Sequence, residues 1–116
     1  MATVTPTTSR IGNAGRVVQW TGIVTGDTLT AFEIPETPGL MTVHFGGTFA
    51  NGTSLGLNTS NVNDDYVTAE DLAGAAISGV LADAIYGVST AGRWIQPTVA
   101  SGSSDSTTVT VVYWVR

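Results

Sequence analysis

Apolar residues in this chain recur at every second position, the spacing that sends alternate side chains to opposite faces of a β-strand. Between Leu40 and Phe49, Met41, Val43 and Phe45 share one phase while Thr42 and His44 occupy the other. The run Val17 to Val24 is rich in β-branched and aromatic residues and closes on Gly26-Asp27. Thr28 to Ile34 continues the alternation, with Thr30, Phe32 and Ile34 on one side and Leu29, Ala31 and Glu33 on the other. Pro35-Glu36-Thr37-Pro38-Gly39 then breaks it, because proline has no N–H to give a ladder. Asn51-Gly52 is the pair best suited to the positive φ angles of a type I′ turn, so Thr53 to Asn58 is expected as the hairpin partner of the preceding strand.

The middle of the chain is less regular. Asn61 to Asp65 reads as loop, Tyr66 to Leu72 as a short strand or a helical turn. Ala75 to Val88 carries Gly79 and Gly87, which argues for two short strands over a helix. Gly92 to Ala100 is a strand that Pro97 places at an edge or a bulge, and Ser101 to Asp105 is a flexible turn. Ser106 to Val115 is the clearest strand, with Val109, Val111, Tyr113 and Val115 facing the core and Val112 and Trp114 opposite, beside Thr108 and Thr110. Seven or eight short strands with Gly, Pro and Asn turns predict an all-β fold, an antiparallel, jelly-roll-like β-sandwich over residues 16–116. Residues 1–15 are expected as an extended arm, mobile until a partner orders it.

Composition narrows the function. The 116 residues are 42% apolar and 11% charged, against roughly 25% charged in an average domain. Four Arg, no Lys and nine Asp or Glu leave a net charge of −5, too acidic to neutralise many phosphates, so nucleic acid is not an expected partner. With no Cys there is neither a disulfide framework nor a thiolate site. The first ten residues lack the basic start and apolar run of a signal peptide, and no stretch approaches the ~20 apolar residues of a membrane helix.

Candidate chemistry is sparse. His44 is the one histidine and lies in the polar phase of its strand, which predicts a surface or interface role and no hydrolase triad. Asn61, Asn63, Asp64, Asp65, Glu70 and Asp71 resemble a hard-cation loop in composition. Tyr66 and Leu72, however, stand where a calcium loop needs Gly and Glu, so these acids are expected to cap turns. The sequons at Asn51 and Asn58 are expected as turn residues, and Gly12-Asn13-Ala14-Gly15 neither follows a strand nor opens a helix. No catalytic residue, cofactor or metal is predicted. The apolar end of the last strand's second face needs a cover, either another layer of the chain or a partner. Val112 and Trp114, together with Arg10 and Arg16 at the arm, are the expected partner-binding residues.

A family resemblance runs over residues 40–115. Val43-His44-Phe45-Gly46-Gly47-Thr48-Phe49 leads to Thr53-Ser54-Leu55-Gly56-Leu57-Asn58-Thr59-Ser60, then to Asp64-Asp65-Tyr66-Val67 and Glu70-Asp71-Leu72-Ala73-Gly74. Ala91-Gly92-Arg93-Trp94-Ile95-Gln96-Pro97, a Gly/Ser turn and a Thr/Val strand follow. This order resembles small virion structural proteins of tailed bacteriophages, of the capsid decoration or cement type. It departs from them at Asp65 for Gly, Tyr66 for Trp, Trp94 for Tyr and Gln96 for Arg. The resemblance implies a non-enzymatic sandwich made in the host cytoplasm and carried on the capsid exterior, bound to the major capsid protein as a dimer or trimer. Two other classes are consistent with the residues: a carbohydrate-binding module stacking sugars on Trp20, Trp94 or Tyr86, and a head-fibre or tail component.

Overall fold

The computed structural model of the chain describes residues 2–36, 38–89 and 91–115. Their strands are β1 (Thr3–Val4), β2 (Thr7–Ile11), β3 (Gly15–Ile23), β4 (Thr28–Leu29), β5 (Phe32–Glu33) and β6 (Pro38–Thr48). The chain continues through β7 (Ser54–Ser60), β8 (Val67–Thr68), β9 (Ala84–Gly87), β10 (Trp94–Ala100) and β11 (Ser106–Val115), with no helix among the described residues. Seven of the eleven strands have four residues or more, in line with the seven or eight expected.

An antiparallel sheet in the order β2-β3-β11-β6-β9 packs against a second, β5-β10-β7-β8, while β1 and β4 form a separate parallel pair. The fold is an all-β antiparallel sandwich. Numbering β3 and β5 to β11 as strands one to eight, one sheet reads 1-8-3-6 and the other 2-7-4-5. Among these eight, only the connection from β7 to β8 stays within one sheet.

The alternation in the sequence decides which side chains fill the space between the sheets. Met41, Val43 and Phe45 of β6 are buried with Val109, Val111 and Tyr113 of β11, as their phase predicts, and His44 is exposed. Leu55, Leu57 and Ile95 close the core from the other sheet. Trp20 is the core tryptophan; it is fully buried, and its indole Nε1 donates to the Thr30 carbonyl at 2.8 Å. That bond satisfies the polar end of a side chain that otherwise contributes only apolar area.

Four expectations need correction. Asn51 (φ 55°) and Gly52 (φ 83°) do form the tight turn, closed by the Thr53 N–H on the Ala50 carbonyl at 3.2 Å. The turn does not make a hairpin, because β6 pairs with β11 and β9, and β7 pairs with β10 and β8. Asn58 of the second sequon lies within β7 and pairs with Thr68, so it is a strand residue, not a turn residue. Thr28 to Ile34 is two short strands in different sheets, because the Leu29 carbonyl accepts from Gln96 Nε2 at 2.7 Å and the Thr30 carbonyl from Trp20. Within Ala75 to Val88 only β9 is a strand; Ile77 and Val80 instead bond singly along the edge of β7, at the Leu57 N–H and at Leu55.

The expected arm is not free: of residues 2–15, two segments are strands paired within the chain, and 12–14 form the turn that joins β2 to β3. β1 runs beside β4, and β2 joins β3 from Thr7↔Gln19 to Ile11↔Gly15. Pro97 sits where the sequence placed it: β5 reaches only Trp94 and Ile95, so β10 has a free edge from Gln96 onward.

Candidate functional site

Strand register assigns the sequence-predicted partner residues to two different surfaces. Residues directly opposite in a ladder share a face, so Ile11, Gly15 and Trp114 lie together on the outer side of the five-stranded sheet. In the next row on that face come Ser9, Val17, Val112 and Thr42, followed by Thr7, Gln19, Thr110 and His44. No element of the described chain covers this face. Trp114 is 40% exposed, Ile11 46% and Leu40 60%, so the face carries an open apolar end rather than an even polar coat. Gly15 makes this end possible: a Cβ there would come within 2.8 Å of Trp114 Cζ3 and of the Ile11 side chain, so its absence lets the indole lie flat against the sheet.

Arg10 and Arg16 face the other way, in the phase of Tyr113. β2 overhangs the narrower second sheet, so Thr8 and Arg10 on its inner side remain exposed. Beneath the overhang is a cleft of about 450 Å³ lined by Thr8, Arg10, Arg16, Phe32, Glu36 and Tyr113 among others. Arg16 Nε contacts Glu36 Oε1 at 3.3 Å, and its Nη1 donates to the carbonyls of Asn13 and Gly15, both at 3.0 Å. Glu36 Oε2 is buried with no hydrogen-bond partner among the described residues. Burial, and then the Glu36 charge, push the Tyr113 phenol above its ordinary range.

One buried carboxylate escaped the sequence reading. Asp105, at the end of a segment expected as a flexible turn, is 5% exposed and fastens three loops together. Its Oδ2 accepts from Thr25 Oγ1 at 2.6 Å and lies 2.7 Å from Thr53 Oγ1, while its Oδ1 accepts from the Thr25 N–H at 3.1 Å. Thr53 Oγ1 is also 2.7 Å from the Ala50 carbonyl; its single proton serves one acceptor at a time, and the charged one binds it more strongly. The Thr25 hydroxyl and then the Thr53 hydroxyl hold the Asp105 carboxyl below its usual range. Nearby Asp27 is lowered in the same sense by the N–H groups of Val24 and Ala2, each 3.0 Å from a carboxylate oxygen. Nothing local in Ser-Gly-Ser-Ser-Asp marks Asp105, since both threonines are far away in sequence.

The remaining candidates stay apart. Asp71 Oδ1 accepts the N–H groups of Ala73 and Ala75 at 2.9 and 3.0 Å and so caps its turn as expected, whereas Asp64 Oδ1 accepts the N–H of the adjacent Asp65 at 2.8 Å, which closes no turn. Asn63 is taken by the Tyr66 hydroxyl at 2.6 Å, and Asn61, Asp65 and Glu70 are exposed. Among the described residues no three His, Asp or Glu side chains converge on a point that could hold a metal. His44 lies in a shallow groove with Asp83, Thr108 and Thr110, and Gln19 Nε2 donates to Thr110 Oγ1 at 2.9 Å. For sugar stacking, Trp20 is inaccessible in the core and Tyr86 sets its ring edge-on to Phe45, with centroids 6.0 Å apart. No protein-family model, curated protein or solved structure matches the chain.

Proposed function

We propose that this chain is a non-enzymatic virion structural protein of a tailed bacteriophage, a decoration or cement protein that binds and bridges major capsid subunits. The strand order carries the reading. Two sheets reading 1-8-3-6 and 2-7-4-5 support reading the sandwich as a jelly roll, an architecture used by viral capsid domains. The open apolar end of the outer face, around Trp114 and Val112, supplies a docking surface for a neighbouring subunit. Bridging then works additively. Each copy contributes a modest contact, and repetition over a closed lattice converts modest contacts into avidity. Lectins share the jelly-roll architecture; of the three aromatic residues considered for sugar stacking, Trp20 is buried in the core, while Trp94 and Tyr86 are half-buried.

The test is electron microscopy, at side-chain resolution, of phage particles assembled with this chain. The expected result is density for the sandwich on the outer shell, with Trp114 against a subunit. Density confined to a fibre or the tail, or particles that assemble without the chain on the shell, would overturn the reading.

A further inference from the structure

Four observations converge on the edge of the five-stranded sheet. First, β2 is the outermost strand there, so alternate residues from Thr7 to Ile11 direct unpaired N–H and C=O groups away from β3. Second, both faces of β2 are exposed, because the second sheet does not extend beneath it. Third, Arg10 stands directly opposite Arg16 in the β2–β3 ladder, and like charges so placed repel. Glu36 offsets Arg16 through the 3.3 Å contact, whereas Arg10 has no ion-pair partner among the described residues. Two arginines and one glutamate therefore leave the cleft with one uncompensated positive charge on a chain whose net charge is −5. Fourth, Glu36 Oε2 is a buried acceptor still lacking a donor, and the cleft of about 450 Å³ opens beside it.

We infer that the β2 edge and the cleft beneath it form a binding site for an extended, acidic polypeptide segment, which adds as a sixth strand and places one carboxylate on Arg10. Main-chain bonds to Thr7–Ile11 supply affinity, and the carboxylate fixes register by neutralising the charge that Glu36 leaves over. A donor on the same segment completes Glu36 Oε2. A second copy docking through its own β2 is the wrong occupant, because symmetric pairing would gather Arg10 and Arg16 of both copies along one face. The segment is assigned to the shell protein; only this choice of source rests on the function proposed above.

The experiment uses the full chain and two synthetic ten-residue peptides of alternating valine and threonine, one with a central aspartate and one with asparagine in its place. Binding is followed by isothermal titration, and the bonded edge by amide hydrogen exchange at Thr7–Ile11. The aspartate peptide is expected to bind and slow exchange in β2, with the asparagine peptide at least tenfold weaker. Arg10→Gln should abolish that difference while leaving the thermal transition in place. Arg10→Lys, which keeps the charge, should restore part of it. Equal binding of the two peptides, protection elsewhere than β2, or no binding of either at millimolar concentration would overturn the inference. So would concentration-dependent self-association that Arg10→Gln strengthens, since the edge would then serve a second copy. Shell decoration that persists unchanged in Arg10→Gln overturns the inference and leaves the proposed function standing. Peptide binding without any shell decoration does the reverse.

Discussion

Val111 and Val112 are neighbours on the same strand, and they have opposite surroundings. Val111 is fully buried between two sheets, whereas Val112 lies half-buried among Val17 and Thr42 on a face that no described element covers. The contrast extends across the whole five-stranded sheet. Its inner side holds Trp20, Val43, Phe45 and Val109 at 0% exposure; its outer side mixes threonines with Ile11, Leu40 and Trp114. The two sides share one backbone ladder, so the difference cannot come from strand formation. It comes from what packs on each side, and it separates the residues that make the fold from those left for a partner.

The largest expected effect lies on the inner side. Trp20→Ala removes a fully buried indole and its bond to the Thr30 carbonyl, and should cost about 3–5 kcal/mol of stability in chemical denaturation. Tyr113→Ser should act in the same direction by opening the core beneath β11. If either change left the transition midpoint in place, the inner side would not be the seat of stability.

Next comes the rim that closes the inner side. Asp105→Asn exchanges a charged acceptor for an amide among three donors, at an expected cost of about 1.5–3 kcal/mol. The same carboxylate gives a pH signature. A group whose folded pKa lies below its unfolded one stabilises the protein above the unfolded value, and that contribution disappears as pH falls through the folded one. Asp105 and Asp27 are both lowered from 3.8, so their contribution is intact at neutral pH and is lost in acid below about that value. Thermal melts from pH 7 to pH 2 should show a steep acid loss that is shallower in Asp105→Asn. Parallel curves for the two proteins would remove the rim from the account.

The outer side should respond more in binding than in folding. Trp114→Ser is expected to cost about 1 kcal/mol of stability, well below Tyr113→Ser, and to weaken partner binding by roughly 2 kcal/mol or more. Val112→Thr should be the mildest, within about 0.5 kcal/mol in stability, since threonine already fills neighbouring positions on that face. Sedimentation together with denaturation would separate these outcomes. Equal destabilisation by Trp114→Ser and Tyr113→Ser would mean that both sides of β11 belong to the fold.

How far the sequence foretold this arrangement depended on the range of the interaction concerned. The alternation in Leu40 to Phe49 and in Ser106 to Val115 reports which side of a strand meets apolar matter, and it assigned Met41, Val43, Phe45, Val109, Val111 and Tyr113 correctly. Asn51-Gly52 reports only four residues of backbone; it formed its turn, but it could not say that the strands on either side would join different sheets. The break at Thr30 depends on Trp20 and Gln96, and the burial of Asp105 on Thr25 and Thr53, partners far away along the chain. Of the expected partner residues, Arg10 and Arg16 are opposite one another, a pairing set by the β2–β3 hairpin, while Glu36 lies in a segment whose local sequence marks only a breaker.

The position of β11 also constrains the order of events during synthesis. It is the last strand along the described chain, yet it sits between β3 and β6 and supplies the ladder to both. Until the ribosome has released it, those two strands have no partner for their facing edges, and the nascent chain carries a gap of one strand's width. β-Strands with bare edges are templates for pairing with other molecules. A nascent chain is thus most open to mispairing in the interval before β11 emerges, and that exposure ends as Ser106–Val115 slots home. Threonine at Thr107, Thr108 and Thr110 keeps the leading half of that strand polar enough to wait in water, with the valines and aromatic residues following behind.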